Sequence, residues 1–249
     1  MTPPPSIVVT DYTPPPSEMK RRLYERLRSW ADLVLLDPDV EHPDLSTWDL
    51  DLYHMARWTR PSLRDLRRAQ AAGIPTVNSH DGAATTEDRL ARSRRIESAG
   101  LLVPAFAFGT ADEIRLAPPV LVKPRHELQP GGHDFSVVFA GPIDFEGERF
   151  VQRFVVPRRS YKVFQVGDRV RSTRYLPGTE SVLETSPSRK VLRLVETAET
   201  LFDLRLFELD LVLHKGLFVI DVNPVVSLDG VHDAVDIYED LLREASSRS

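Results

Sequence analysis

Two acidic residues interrupt apolar, strand-like runs near the end of the chain. Residues 206–224 form two apolar runs around a short polar turn, a pattern typical of a β-hairpin. Asp210 interrupts the first run and Asp221 the second, and Asn223 shares a strand face with Asp221 because side chains alternate along a strand. A cation would offset the cost of burying these carboxylates, and oxygen-only ligands suit Mg²⁺ carried by a nucleotide. The alternative is that both aspartates lie at strand ends and face water.

The composition is that of an ordinary globular protein. The 249 residues are 41% hydrophobic and 28% charged, enough for one large domain or two to three small ones. A net charge of −5 gives no reason to expect nucleic acid or an anionic membrane as a partner. The absence of cysteine excludes disulfides, thiolate catalysis and cysteine-ligated zinc. Because no signal peptide and no apolar run of membrane-spanning length is visible, we expect a cytoplasmic protein.

Strand and helix patterns alternate through the first third of the chain. Short apolar runs predict four strands, at residues 7–10, 32–37, 50–54 and 74–78. Ser17 is a good N-cap for a helix, Pro61 opens another helix, and Gly73 ends it. This alternation predicts a parallel α/β layer over residues 6–80.

The rest of the chain is predicted to be rich in strands. Residues 85–88 have the form of a capping box and predict a helix that ends near Ala99. Ser186 and Asp233 precede two further helical patterns. Besides the hairpin, strands are predicted at 120–124, 135–139, 149–156, 161–166 and 170–175. No long linker marks a boundary, and we interpret the chain as three small subdomains in one compact unit.

Five pieces of the sequence, taken in order, resemble the ATP-grasp superfamily. They are Val77-Asn78, Asp88-Arg89, Leu121 to Lys123, Val151 to Val155, and Phe207 to Asp210 with Ile220 to Pro224. Their order and spacing carry the resemblance, which covers residues 50–245. It implies an α/β (α+β) ATP-grasp fold in which two α+β subdomains clamp ATP after an N-terminal parallel α/β subdomain. The expected divisions are an N-terminal subdomain (1–80), a connecting helical segment (81–118), a small lid (119–157) and a C-terminal subdomain (158–249).

The resemblance also implies a nucleotide site. Lys123 is expected to contact the α- and β-phosphates of ATP, and Arg89 occupies a second basic position. A nearby loop is expected to bring Gly131, Gly132 and His133 to the phosphates, since glycine lets backbone N–H groups approach oxygen. The strand that recognises adenine is expected to contain Gln152, Arg153, Phe154 and Val155. Without the resemblance, Lys123 could be a strand-end lysine, and Arg89 a solvated helix arginine like its neighbours in the same helix.

Two basic residues are expected to act in catalysis. By resemblance, Lys162 and Arg174 lie on neighbouring strands and face the γ-phosphate and the acceptor, where they would stabilise the transferring phosphoryl group. The alternative is an exposed strand with alternating charge. Asp210, Asp221 and Asn223 fall on the metal positions of the superfamily, which imply two Mg²⁺ ions.

Two branches of the superfamily are similar to this chain, and they differ in reaction. One contains the glutathione synthetase/RimK-like ligases, and the other the inositol 1,3,4-trisphosphate 5/6-kinases. Basic residues that hold inositol phosphates are replaced here, for example by Met55 and Leu128, and polyphosphates need many cations. We therefore expect an ATP-dependent carboxylate–amine ligase that acts through an acyl phosphate, on small-molecule or peptide substrates, with a homodimer possible. The alternatives are a small-molecule kinase and a non-catalytic nucleotide-binding module.

Overall fold

The computed structural model describes residues 3–175 and 181–247, and a parallel three-stranded sheet forms its N-terminal part. The strands run in the order β2-β1-β3: β1 (Ser6–Thr10), β2 (Asp32–Leu36) and β3 (Leu52–Met55). Helix α1 (Glu18–Leu27) begins after Ser17, as predicted, and α2 (Arg60–Ala71) follows β3. This confirms the predicted α/β layer.

The prediction of a strand at 74–78 is wrong. Within the described chain, the segment forms only two isolated bridges, one between Thr76 and Tyr53 and one between Asn78 and Leu204. Pro75 accepts a hydrogen bond from the Tyr53 N–H through its carbonyl oxygen, but it has no N–H with which to continue a ladder.

The two faces of the parallel sheet are covered by different helices. Ile7 and Val9 point to a core shared with α1 and with α6 (Ala234–Ser246), the final helix, which buries Tyr238 and Leu242 there. Val8 points to the other core, next to α2. The alternation of strand side chains thus places α6, from the far end of the sequence, against the first strand.

A helix pair replaces the single helix predicted to begin at residues 85–88. Helix α3 (His80–Glu87) already contains Thr85, whose hydroxyl donates to the Asp81 carbonyl oxygen. Asp88 is extended and caps α4 (Arg89–Ser98) by accepting from the N–H groups of Leu90 and Ala91. The break at Asp88 sets Arg89 at the first position of a new helix.

A four-stranded antiparallel sheet follows the helix pair. Its order is β4-β7-β5-β6, with β4 (Phe106–Gly109), β5 (Val120–Lys123), β6 (Ser136–Val138) and β7 (Arg149–Arg153). Strand β4 lies in the segment 81–118, for which a helix ending near Ala99 but no strand was predicted, and it pairs with β7. Its four residues lack the alternation of apolar and polar side chains by which a strand is detected.

A five-stranded antiparallel sheet forms the C-terminal part. Its order is β10-β9-β8-β11-β12, with β8 (Arg159–Val166), β9 (Arg169–Tyr175), β10 (Val182–Thr185), β11 (Leu206–Leu213) and β12 (Leu217–Asn223). The predicted hairpin is β11–β12. Helix α5 (Arg189–Phe202) is capped by Ser188 rather than by Ser186, since the Ser188 hydroxyl accepts from the Val191 N–H. Among the described residues, no helix combines the length and apolar character needed to cross a membrane.

Candidate active site

The β11–β12 hairpin gathers its polar side chains on one face. The strand register places Asp210 opposite Asp221, and Glu208 opposite Asn223. Directly opposed residues of an antiparallel pair project to the same side. The three residues predicted to bind metal therefore lie together, and Glu208 joins them. Glu208 stands two residues before Asp210, so the period-2 rule that linked Asp221 to Asn223 could also have found it.

Lys162 lies next to these carboxylates. It is opposite Asp210 in the pairing of β8 with β11. Its ammonium contacts Glu208 Oε1 directly and lies 3.6 Å from Asp210 Oδ1. Burial lowers the pKa of Lys162, but the charges of Asp210 and Glu208 outweigh burial and raise it above its ordinary value. Lys162 is therefore a firmly protonated cation on this face. We call the sheet surface that carries these five side chains the carboxylate face.

Glu208 and Asp210 differ in how completely their charges are satisfied. The second carboxylate oxygen of Glu208 accepts from the Ser227 N–H at 3.1 Å and from the Ser227 hydroxyl at 2.8 Å. Burial raises the pKa of Asp210 to about 7, and the charges of Asp221 and Glu208 raise it too, whereas Lys162 opposes them. The Asp210 side chain nevertheless keeps 36% of its surface exposed. A cation can therefore reach Asp210 and would stabilise its charge.

The oxygen donors of the carboxylate face suit a metal ion that is also bound by substrate oxygens. In residues 3–175 and 181–247, no three His, Asp or Glu side chains are grouped so as to hold a metal ion by themselves. Asp210, Asp221 and the Asn223 amide supply hard oxygen donors on one face. Mg²⁺ is commonly bound by one or two carboxylates plus substrate phosphates. The site suits Mg²⁺ bound together with a polyphosphate.

Arg92 is a site residue that sequence reasoning missed. It is buried, with Nη1 2.6 Å from Asp221 Oδ1 and 2.7 Å from Glu127 Oε1. Burial lowers the pKa of Arg92, but these two carboxylates outweigh it and raise the pKa. The neighbouring arginines of this helix were predicted to be solvated. Arg92 lies three residues after Arg89, hence on the same helix face, and this spacing was the available signal.

Arg89 and Lys123 complete a basic cluster with Arg92. Arg89 Nη1 donates to the Pro124 carbonyl oxygen at 2.8 Å, and its buried Nε lies 3.5 Å from Glu127 Oε1 without forming a hydrogen bond to any described residue. Burial lowers the pKa of Lys123, Arg89 and Arg92 lower it further, and Asp221 raises it. The three cations exceed the two nearby carboxylates in number, so a phosphate would relieve their mutual repulsion.

The glycine loop after β5 borders the cluster on one side. Gly131 has a positive φ of +67°, and a Cβ added to Gly132 would lie 1.9 Å from the Glu127 carbonyl oxygen. A cavity of about 400 Å³ there is lined by Lys123 and Gly131 among others. His133 is exposed and does not line this cavity. The loop thus brings glycine backbone, but not the predicted histidine side chain, to the cavity.

The predicted adenine strand is the end of β7 and the residues after it. Gln152 is buried opposite Leu121 of β5. The N–H of Arg153 donates to the Ala105 carbonyl oxygen, and that of Phe154 donates to the Pro119 carbonyl oxygen. The N–H groups of Arg153 and Phe154 therefore already donate hydrogen bonds within the protein. Val155 is the next residue along the chain.

Arg174 does not lie beside Lys162, which corrects the prediction. The register of β8 with β9 places Thr173 opposite Lys162, and Arg174 opposite Tyr161. The tight turn at Gly167 sets this register, and a shift of one residue moves a side chain to the other face. Thr173 is buried on the carboxylate face, whereas Arg174 faces the other way.

A further cavity separates the carboxylate face from the N-terminal layer. It has a volume of about 280 Å³, and its lining includes Lys20, Arg57, Glu208, Asn223 and Asp229. The ammonium of Lys20 lies 2.8 Å from an Asp11 carboxylate oxygen, and Arg57 lies 3.7 Å from the other oxygen. The cavity therefore offers groups of both charges next to the predicted metal residues.

Comparison with known proteins gives matches in structure but not in sequence. No protein-family model and no curated protein matches the chain. A RimK-domain ATP-grasp protein from Sphaerobacter thermophilus DSM 20745 superposes with a TM-score of 0.73 and 18% identity, over 95% of this chain and 99% of that one. The ATP-grasp ligase PsnB, complexed with precursor peptide PsnA2 and AMPPNP, gives 0.72 and 15%, over 98% and 99%. The chain has the ATP-grasp fold.

Other ATP-grasp structures agree with this assignment. D-alanine–D-alanine ligase from Bacillus anthracis superposes with a TM-score of 0.70 at 14% identity, over 98% of this chain and 97% of that one. These matches confirm the predicted ATP-grasp fold, with its parallel sheet followed by two antiparallel sheets.

Proposed function

We propose that this protein is an ATP-dependent carboxylate–amine ligase that passes through an acyl phosphate. The observation that carries the proposal is that an oxygen-rich group of side chains and a basic cluster meet in one site of an ATP-grasp fold. Asp210, Asp221 and Asn223 form an oxygen-rich face with Lys162, and the basic cluster of Arg89, Arg92 and Lys123 meets it at Asp221.

The basic cluster and the hairpin would divide the binding of Mg-ATP between them. Lys123 and Arg89 hold the α- and β-phosphates, and the glycine loop closes over them. Residues 152–155 contact adenine, with the Gln152 amide as acceptor for the 6-amino group. Asp210, Asp221 and Asn223 would hold two Mg²⁺ ions, which would supply positive charge beside the phosphates.

The chemistry needs positioning and charge rather than a side-chain nucleophile. A substrate carboxylate oxygen attacks the γ-phosphorus, the bond to the β-phosphate oxygen breaks, and ADP leaves. Lys162 stabilises the charge on the transferring phosphoryl group. The substrate amine then attacks the acyl carbon, phosphate leaves, and the amine loses a proton to form the amide.

The acceptor would lie in the cavity between the carboxylate face and the N-terminal layer. Arg57 can bind a carboxylate, and Asp229 can bind an ammonium group; both line this cavity of about 280 Å³. PsnB was solved with a precursor peptide, so a peptide carboxylate is included among the proposed acceptors. A kinase of the inositol-phosphate type is the alternative. Against it, the Lys20 ammonium is paired with Asp11 at 2.8 Å, so Arg57 is the more available of the two cations that line this cavity, and one cation is too few for a polyphosphate.

The deciding experiment is the acceptor dependence of ADP release. Purified protein with Mg-ATP is given carboxylates, amines, pairs of the two, and hydroxyl compounds including inositol phosphates. A ligase releases ADP fully only with a carboxylate and an amine, and hydroxylamine traps the acyl phosphate as a hydroxamate. ADP release with a hydroxyl compound alone, together with a stable phosphate ester, would replace the ligase by the kinase. Mg²⁺-dependent ATP binding without ADP release from any pair would indicate a nucleotide-binding module.

A further inference from the structure

A third cavity lies on the opposite side of the five-stranded sheet, on the surface that packs against α5. We call this surface the α5 face. The cavity has a volume of about 450 Å³ and lies between β8, β9 and β10, the start of α5 and the turn of the β11–β12 hairpin. Its apolar lining includes Tyr161, Val163 and Leu217. Because the sheet separates it from Lys162, this cavity is distinct from the proposed ATP site.

Four cations line the cavity, and no acidic side chain does. They are Arg159, Arg174, Lys190 and Lys215. In the described part of the chain, none of the four forms an ion pair with a carboxylate, whereas at least ten other arginines do. The Nε of Arg174 is buried and has no hydrogen-bond partner there. In a chain with a net charge of −5, this concentration of unpaired positive charge is a local feature that calls for an anion.

Polar groups at the start of α5 reinforce the positive potential. Ser188, the N-cap of this 14-residue helix, lines the cavity together with Ser186 and Thr185. The first N–H groups of a helix have no partner within the helix and favour negative charge. Ser172 is less available, because its hydroxyl donates to the Thr185 carbonyl oxygen at 2.7 Å. Hydroxyls and backbone N–H groups thus accompany the four cations.

We propose that this cavity binds an organic phosphate monoester. The apolar side chains accommodate the organic body, and the phosphate lies among the four cations near the start of α5. A phosphate carries close to two negative charges and three acceptor oxygens, which matches four cations better than a single carboxylate does. The volume lies within the range of small-molecule sites. This proposal does not depend on the ligase chemistry.

Calorimetric titration of the full protein with phenyl phosphate tests the proposal. We expect Arg174→Gln and Lys190→Gln each to weaken its binding about tenfold, because each removes a charge-assisted contact. Arg189→Gln is the matched control: Arg189 is exposed, adjacent to Lys190, and does not line the cavity. Its effect should stay below about twofold. Lys123→Gln, on the far side of the sheet, should leave the affinity unchanged. Lys190 is exposed, so its variant is expected to fold normally.

Several outcomes would overturn the proposal. If Lys123→Gln weakens phenyl phosphate binding and Lys190→Gln does not, the probe binds at the nucleotide site. Equal losses in Arg189→Gln and Lys190→Gln would show only a long-range charge effect. Benzoate binding as tightly as phenyl phosphate would remove the preference for phosphate, and inorganic phosphate doing so would remove the role of the organic body. The absence of any phenyl phosphate binding would also overturn it.

Discussion

The carboxylate face and the α5 face are two sides of one sheet, yet they hold opposite kinds of charge. On the carboxylate face, Lys162 is paired with Glu208 and lies close to Asp210. On the α5 face, Arg174 and Lys190 have no carboxylate partner among the described residues. Neighbouring residues of one strand thus serve different sites. The alternation of side chains along β8 and β9, not distance along the chain, decides which site a residue joins.

The largest expected effect is loss of activity on removing a carboxylate from the carboxylate face. Asp221→Asn should lower ADP formation about 1,000-fold, because the proposed function gives Asp221 a charge that would bind Mg²⁺ next to the transferring phosphate. The rate of ADP release with the active acceptor pair measures the change. Asp168→Asn, at the exposed β8–β9 turn, makes the same chemical change away from the site and should keep activity. Full turnover by Asp221→Asn would refute the metal assignment.

Removing a cation that is paired with carboxylates should destabilise the protein, whereas removing an unpaired cation of the α5 face should not. Arg92→Gln removes the guanidinium that Glu127 and Asp221 share, and leaves buried Glu127 with only the longer contact of 3.5 Å to Arg89 Nε. We expect it to lower the free energy of unfolding by about 3 kcal/mol, measured by urea denaturation.

Two control variants for Arg92→Gln replace an arginine of the same helix and an arginine of the α5 face. Arg94→Gln changes an exposed arginine of α4 and should alter stability by less than about 0.5 kcal/mol. Arg159→Gln, on the α5 face, removes one of four like charges and should not destabilise the protein. If Arg92→Gln and Arg94→Gln had equal effects, the buried ion pair would not contribute as described.

Replacing Lys162, a cation of the carboxylate face, should change the enzyme kinetics. Lys162→Gln should lower kcat about 100-fold, since it removes charge stabilisation from the transferring phosphoryl group. We expect a smaller change in the KM for ATP, because the proposed function assigns the other phosphates to Lys123 and Arg89. Steady-state kinetics separate the two constants, and Arg189→Gln serves as the control for loss of one positive charge. A change confined to KM would instead place Lys162 in ground-state binding.

The smallest expected effect is the change in stability on removing the hydroxyl of Ser172 or of Thr173, two adjacent residues on opposite faces of the sheet. Ser172 donates to the Thr185 carbonyl oxygen at 2.7 Å, so Ser172→Ala should cost about 1 kcal/mol of stability. The Thr173 hydroxyl is buried without a hydrogen-bond partner among the described residues, so the isosteric Thr173→Val should be neutral or stabilising. Thermal unfolding of the two variants measures the difference. A larger loss in Thr173→Val than in Ser172→Ala would show that the Thr173 hydroxyl does have a hydrogen-bond partner.

The predictions from sequence succeeded where a rule acts within one strand or hairpin. Asp221 and Asn223 were grouped because strand side chains repeat every two residues, and the alternation of elements up to residue 80 indicated the parallel layer. Arg174 was misplaced because its face depends on the register set by a turn, and an error of one residue inverts the result. Pro75 prevented a strand that its apolar neighbours suggested.

Features that depend on several distant elements could not be predicted in this way. Arg92 belongs to the site only because α4 begins at Arg89 and is held against Asp221, which lies far along the chain. The four cations of the α5 face come from β8, β9, α5 and a hairpin turn, and no pattern in the sequence joins them. Charge without a partner is a property of the assembled structure.

The position of α6 has a consequence for synthesis of the protein. Arg26 of α1 and Asp236 of α6 form a hydrogen bond across 210 residues of sequence, and Leu242 is buried in the same core as Ile7. A ribosome translates the first strand long before it translates the helix that covers it. The N-terminal layer therefore exposes this apolar surface until α6 has been synthesised, and chaperones can bind there during that interval.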